Sequence, residues 1–237
     1  MTRRRWIADE VSGNRAALLG DHADHLARVL RARVGEEFDV VADGRIRRAT
    51  VTGILSDRVE FELGEDIPAA PLANITLLIS VFKFDRMEWA IEKSTELGAA
   101  RIVPVIARRT EPHLAAAAGK RAERWRRIAR QASEQARRSF PPEVAGPVKC
   151  NEAAAIQAGT RILLDESEDV VTLKTVLQTR PAGDPLALAF GPEGGWTPGE
   201  IEQFHAAGWK SASLGKMILR AETAVIAALA VALSELG

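Results

Sequence analysis

From Ile75 onward, short unbroken apolar runs alternate with longer amphipathic ones, and no other feature constrains the fold as tightly. ITLLISVF (Ile75 to Phe82) is a near-continuous apolar run, the pattern of a strand covered on both faces. DRMEWAIEKSTELG follows, with Met87, Ile91 and Leu97 on one helical stripe and Gly98 as the stop. RIVPVI predicts a second strand, and RILLDE, PLALAF and KSASLG predict further ones. Helices are expected over the basic segment after RIVPVI, over Thr197 to Ala207 and over Ala221 to Leu236. Strands that alternate with helices argue for an α/β domain built on a parallel sheet.

Residues before that point read mostly as β structure. A short helical stretch is expected near Asp21 to Arg31. EFDVVADGRIRRATVTG then has the pattern of a hairpin, with Phe38, Val40 and Val41 before an Asp43-Gly44 turn and Ile46, Ala49 and Val51 after it. RVEFEL (Arg58 to Leu63) alternates as a third strand. Together these predict a small antiparallel barrel or sheet. The two prolines of IPAAPLAN (Ile67 to Asn74) mark a boundary, giving expected domains at 1–70 and 71–237. A chain of 237 residues with 46% apolar content can bury a core in each.

Thirty-two basic and 32 acidic side chains leave no net charge, so the chain as a whole is no electrostatic sponge for nucleic acid. The balance is uneven, however: −2 over residues 1–70, +7 over 71–150 and −5 over 151–237. Most of the excess lies in KRAERWRRIARQASEQARR (Lys120 to Arg138), with eight basic and two acidic residues. On a helix, Arg124, Arg127 and Arg138 fall near one another, while Trp125, Ile128 and Ala132 mark an apolar face. Such a face is either solvated and paired within the protein or a contact for phosphate. Smaller groups at Arg3-Arg4-Arg5, Arg28/Arg31/Arg33 and Arg45/Arg47/Arg48 suggest a localised polyanion site whose affinity falls with salt.

Several classes of protein are set aside. The single cysteine, Cys150, excludes an intrachain disulfide and a multi-cysteine zinc site, and reads as a small filler. Asp21-His22-Ala23-Asp24-His25 carries metal-capable groups, but this spacing at a helix start reads as capping chemistry, and no metal is expected. MTRRRWIADE lacks the apolar stretch of a signal peptide. The longest apolar run, Ala224 to Leu233, is about half a membrane span. The five tryptophans read as packing, with base stacking by Trp6 or Trp125 as the alternative.

Two glycine-bearing loops stand out. FGPEGGWTPGEIEQF (Phe190 to Phe204) follows the strand PLALAF and leads into a helix opened by Thr197-Pro198, with Glu200 completing a capping box. Gly191, Gly194 and Gly195 let the backbone approach a ligand, and loops at the carboxyl ends of parallel strands are where α/β proteins bind them. The loop is neither a P-loop nor a GxGxxG fingerprint, and a tight strand-to-helix turn is the alternative to a binding site. The second loop, SLGKMILRAETAVIAALA (Ser213 to Ala230), places Arg220 and Glu222 before a very apolar helix. Charges there are costly to desolvate unless paired or functional. A salt bridge with a carboxylate favoured by the helix dipole and a direct catalytic role both fit.

Taken together, these segments resemble the bacterial ribosomal RNA small-subunit methyltransferase E family. The resemblance rests on Phe190-GPEGG with Glu200-Ile201, on LG-x-x-ILR-x-ETA at Leu214 to Ala224, on HLARVLRARVGEEFDVVADG (His25 to Gly44), on KFDRMEWAIEKSTELG (Lys83 to Gly98) and on EQARRSFPPEV (Glu134 to Val144), and it runs the full length. It implies a PUA-like β-barrel at 1–70 that binds RNA and a SPOUT α/β domain with a deep trefoil knot at 71–237, a topology that periodicity alone never predicts. It implies a cytoplasmic homodimer that methylates N3 of a uridine of 16S rRNA, position 1498 in the usual small-subunit numbering, with S-adenosylmethionine as donor. The implied donor pocket maps onto Leu164, onto Phe190, Gly191, Pro192, Glu193 and Gly195, and onto Leu214, Gly215, Met217, Ile218 and Leu219. Two departures stand out: Lys216-Met217 replaces the usual Pro-Arg, and Ala221 replaces the usual Thr.

Uracil N3 is a weakly acidic imide, so its proton must leave before or during transfer, which calls for a base or for cations that stabilise the anion. Arg220 is the candidate for the electrostatic role. Glu222 is the candidate for orienting Arg220 or taking the proton, with Glu193 as the next carboxylate. N3 lies on the Watson–Crick edge, so the uridine must be exposed first. Phosphate contacts are expected from Arg28, Arg31, Lys83, Arg109, Arg137 and Arg138. Two other classes fit the residues less well: a non-catalytic RNA-binding protein, and an enzyme that uses the Gly191 to Gly195 loop as an anion cradle for a small phosphorylated substrate.

Overall fold

A computed structural model describes residues 5–68 and 73–236. The expected domain boundary at 70/71, and Arg3 and Arg4 of the first basic group, lie outside the described residues. The chain divides into two units, one of Met1–Pro71 with Arg130–Pro141, the other of Leu72–Ala129 with Pro142–Gly237.

The first unit is a six-stranded sheet of β1 (Trp6–Ile7), β2 (Glu10–Ser12), β3 (Arg15–Leu19), β4 (Glu37–Ala42), β5 (Arg45–Ile54) and β6 (Arg58–Ile67), in the order β1-β4-β5-β6-β3-β2. All pairs are antiparallel except β1 with β4. The expected hairpin forms, with Ala42 opposite Arg45 and the turn residues Asp43 and Gly44 at φ 46° and 75°. Positive φ at both central positions gives the right-handed twist that a two-residue connection needs. The expected helix near Asp21 to Arg31 is broken: α1 (Gly20–Asp24) runs into a π-helical turn, His25–Val29, and Arg31 sits at φ 55°. Trp6, Leu18, Leu26, Val40, Val59 and Phe61 form the core. Residues after Ala129 join this unit because Arg130 Nη2 donates to the Ile7 carbonyl and pairs with Asp9, both at 2.8 Å, and the Arg5 N–H donates to the Glu134 carbonyl.

In the second unit β7 (Ile75–Ser80), α2 (Phe84–Leu97), β8 (Arg101–Ile106) and α3 (Pro112–Gln135) come first, α3 crossing into the first unit at its end. β9 (Glu143–Val144), β10 (Val148–Lys149), α4 (Cys150–Ala154), β11 (Thr160–Leu164) and α5 (Leu173–Gln178) follow. β12 (Leu186–Phe190), α6 (Pro198–Ala206), β13 (Lys210–Ala212) and α7 (Ala221–Leu236) complete it. The sheet is parallel throughout, in the order β10-β8-β7-β12-β11-β13, with β9 also on β8. Leu77, Ile79, Ile162, Leu188 and Phe190 face one apolar layer with α2, α3, α5 and α7. Leu78, Val103, Val105, Leu163 and Ala189 face another with Trp196, Phe204 and Trp209. Burial on both faces is why these strands lack polar alternation. Later strands fall to one side of β7 and earlier connections to the other, so the sheet has a switch point between β7 and β12, where α/β proteins open a crevice.

One expectation fails here, and one alternative falls away. Arg138 is not on the basic helix face, because α3 ends at Gln135 and Arg137 adopts φ 57°. Trp6 and Trp125 are fully buried, so neither offers a ring to a base. No helix among the described residues is long and apolar enough to cross a membrane.

Candidate functional site

A cleft of about 370 Å³ opens at the carboxyl ends of β11, β12 and β13. Three stretches wall it: Leu164 to Glu166 after β11, Phe190 to Trp196 after β12, and Ala212 to Ala221 between β13 and α7. Every residue expected in the donor pocket lines this cleft, Leu164, Phe190, Gly191, Pro192, Glu193, Gly195, Leu214, Gly215, Met217, Ile218 and Leu219, and Arg220 with them. Lys216 and Ala221, the two departures, line it as well. Met217 and Ile218 are 80% and 85% exposed on its rim.

Local chemistry shapes the middle wall. Gly195 closes a turn by donating to the Pro192 carbonyl at 2.8 Å and takes φ +71°. A Cβ there would lie 2.5 Å from Glu166 Oε1, the tip of an exposed side chain that can give way, so it is the positive φ that calls for glycine. Trp196 Nε1 then donates to the Leu164 carbonyl at 3.1 Å and draws the loop over the end of β11. The capping box forms as expected: Glu200 Oε2 accepts from the Thr197 N–H at 2.9 Å and from its hydroxyl at 2.7 Å, with Pro198 opening α6. Glu200 Oε1 also accepts from the Arg108 N–H at 2.7 Å. Burial opposes the Glu200 charge, but the N–H groups of Arg108 and Thr197, the Thr197 hydroxyl and the Cys150 thiol outweigh it and hold the carboxyl below its usual range. The same contact, after burial itself, pushes the Cys150 thiol up to about 12.

The sequence points to Arg220 as the side chain that Glu222 would orient, but the carboxylate faces Arg86 instead. Arg86, in the first turn of α2, donates from Nη1 to Glu193 Oε1 at 3.3 Å, and its Nε lies 3.7 Å from Glu222 Oε1. Glu222 is 7% exposed and is not among the residues that line the cleft; its Oε2 is buried without a hydrogen-bond partner. Sequence reasoning missed Arg86 as a site residue, although it lies inside the KFDRMEWAIEKSTELG signature. It also missed Asp165, Glu166 and Trp196 on the walls.

The expected phosphate contacts are dispersed. Arg28 is exposed and pairs with Asp24 at 3.0 Å, and Arg31 is exposed beyond the π-helical turn. Arg137 is half-buried, while Arg138 is 5% exposed and donates to the Phe140 carbonyl. Burial lowers the Arg138 guanidinium to about 10, and as placed it does not face solvent. In the second unit, Lys83 is exposed at the start of α2, whereas Arg109 is spent on the carbonyls of Gly194 (2.6 Å) and Trp196 (3.2 Å). The basic face of α3 is partly neutralised, with Arg124 bound by both oxygens of Glu88 at 2.6 and 2.8 Å. Among the described residues no group of three His, Cys, Asp or Glu side chains could hold a metal ion.

Comparison with known proteins gives the family of the chain. Residues 68–233 match the RNA methyltransferase domain, and residues 18–64 match the RNA methyltransferase PUA domain. The chain is 35% identical over 211 residues to ribosomal RNA small subunit methyltransferase E of Synechocystis, covering 87% of this chain and 68% of that one. It is 31% identical to the Aquifex aeolicus protein of the same name, over 93% of this chain and 95% of that one. A crystal structure of ribosomal RNA small subunit methyltransferase E from Neisseria gonorrhoeae, bound to S-adenosyl methionine, superposes with a TM-score of 0.85 at 30% identity, over 98% of this chain and 97% of that one. The chain belongs to the ribosomal RNA small subunit methyltransferase E family of RNA methyltransferases.

Proposed function

We propose that this protein methylates N3 of a uridine in 16S rRNA of the small ribosomal subunit, with S-adenosylmethionine as donor. The observation that carries the reading is the cleft itself, where the glycine-bearing walls, Arg220 and the carboxylates of Asp165, Glu166 and Glu193 meet at the ends of three parallel strands. The cleft suits that donor. Its volume falls in the range of cofactor sites. Gly195 and Gly215, both at positive φ on its walls, carry no side chain to cover their backbone amides and carbonyls, which would be the partners for an adenine. Asp165, Glu166 and Glu193 on the walls offer anionic partners for cationic groups. When bound, S-adenosylmethionine supplies a methyl group on a sulfonium.

Glu222 accepts the imide proton, since its buried Oε2 has no partner of its own. Arg220, exposed at the mouth, stabilises the negative charge that develops on O2 and O4 of the uracil. Arg28, Arg31, Lys83 and Arg137 hold the RNA backbone, and the PUA-like first domain presents it. The knotted topology of the second domain, a homodimer and a cytoplasmic location belong to the same reading. Exposed Met217 and Ile218 supply apolar surface for a second copy.

The test is to incubate the protein with S-adenosylmethionine and unmethylated small subunits, digest the RNA and look for 3-methyluridine by mass spectrometry. Product at a single uridine is the expected result. Donor binding without product would redirect the reading to another RNA. Loss of both would leave an RNA-binding protein without this activity.

A further inference from the structure

Arg86 and Glu222 stand on two rigid elements. Met87, Ala90 and Ile91 of α2 are fully buried, as are Val225, Ala228 and Leu229 of α7, and they share one core. A carboxylate at 7% exposure needs a compensating charge. Among the described residues, the one cation within 4 Å of Glu222 is Arg86, at Oε1. The second oxygen, Oε2, is buried and unpartnered. The guanidinium is itself fixed at a second point by Glu193, on the loop that walls the cleft. One oxygen of Glu222 thus faces Arg86, and the other is buried without a partner directly behind Arg220 and Ala221, which line the cleft; both ends of the pair are held by packed helices.

We infer that Arg86 is a positioning residue for methyl transfer: it compensates the buried Glu222 charge and fixes that side chain through Oε1, so that Oε2 receives the uracil N3 proton. This rests on the reading of Glu222 as proton acceptor. The proton passes from N3 to Oε2, the N3 electron pair forms the bond to the methyl carbon, and the pair of the broken carbon–sulfur bond stays on sulfur. Arg86 touches no reacting atom.

The test compares wild type, Arg86→Gln, Arg86→Lys, Glu222→Gln and the double variants by single-turnover formation of 3-methyluridine on small subunits, with donor affinity measured by calorimetry. Arg86→Gln should slow transfer about 10- to 100-fold, as misplacement of a reacting group does, with donor affinity retained. Arg86→Lys should recover much of the rate. Against a Glu222→Gln background, Arg86→Gln should cost nothing further, because a residue that acts through Glu222 has nothing left to position. Should Arg86→Gln fail to fold, Arg86→Met carries the same comparison, with a fall in rate in the wild-type background only. The inference is overturned if Arg86→Gln keeps the wild-type rate while Glu222→Gln is slow, or if it slows both backgrounds equally. A wild-type rate in Glu222→Gln removes the proton-acceptor reading and this inference with it. An inactive wild type would instead count against the methyltransferase reading as a whole.

Discussion

Arg109 Nη1 donates to the Gly194 carbonyl oxygen at 2.6 Å, which staples the loop after β8 to the wall of the cleft. A second bond from the same nitrogen reaches Trp196 at 3.2 Å, and Glu200 holds the neighbouring Arg108 N–H. An arginine used in this way shapes a pocket and does not grip phosphate. Arg109→Ala should weaken donor binding about five- to tenfold, the equivalent of roughly 1 kcal/mol for charge-assisted bonds at a partly exposed position. The salt dependence of RNA binding should be unchanged, whereas loss of a phosphate contact would lower its slope by about 1. Calorimetry with the donor and RNA binding across a salt series separate the two roles.

Gly195 and Gly119 make opposite predictions for the same substitution. At Gly195 a methyl group meets both φ +71° and Glu166 Oε1 at 2.5 Å. Glu166 is exposed and can turn aside, so the backbone strain of about 1–2 kcal/mol is what remains. Gly195→Ala should therefore lower the melting temperature and the donor affinity together. Gly119 lies inside α3, has no positive φ, and offers open space for 4 Å around the position a methyl group would take. Gly119→Ala should stabilise the protein by about 0.5–1 kcal/mol with activity intact. Thermal melts of the two variants, with and without donor, check both.

What the sequence makes legible follows from how local each cause is. The parallel sheet can be read because burial on both faces writes itself into consecutive residues, as in Leu186–Phe190, where all five are buried. The cleft walls can be read because Gly195, Thr197, Pro198 and Glu200 act on their immediate neighbours. Strands β1, β9 and β10 cannot, since two residues each carry no periodicity and their pairing depends on a partner far along the chain. Arg138 reads as part of the helix face because the stripe continues in the residue pattern past the point where Arg137 turns left-handed. Arg86 shows the same limit at the site. Its role depends on α2 lying beside the Glu193 loop and the start of α7, more than 100 residues away, and nothing within its own helix signals that.

The Cys150 thiol, pushed up to about 12 by burial and by the Glu200 carboxylate, should be inert in the native protein. Iodoacetamide at pH 8 should label it slowly, and label it quickly once the chain is denatured. Glu200→Gln removes the charge that opposes the thiolate and should speed native labelling. It also weakens the capping box and the hold on Arg108, so the same variant should melt lower by an amount equivalent to about 1–2 kcal/mol. Fast labelling of the native wild-type protein would mean that the Cys150–Glu200 contact does not form in solution.

His22 gives the first unit a pH-dependent tie. Its Nδ1 lies 3.3 Å from Asp9 Oδ2 and its Nε2 3.6 Å from Glu134 Oε1, with Arg130 against both carboxylates and the Trp6 ring at its edge. The hydrogen bond to Asp9 raises the imidazole above its ordinary 6.5, against burial, with Glu134 adding to the rise. Burial opposes the Asp9 charge, but His22, the Leu19 N–H and Arg130 outweigh it and hold the carboxyl below its ordinary 3.8. The signs fix the window. A raised histidine stabilises the fold fully below 6.5 and loses that contribution as the pH rises through the shifted value. A lowered aspartate contributes fully above 3.8 and loses its share as the pH falls through its own shifted value. The melting-temperature gap between wild type and His22→Gln should therefore be widest between these limits and should close as the pH rises through the raised imidazole value. A gap that stays constant from pH 5 to pH 9 would mean that His22 contributes by packing against Trp6 and not by its charge.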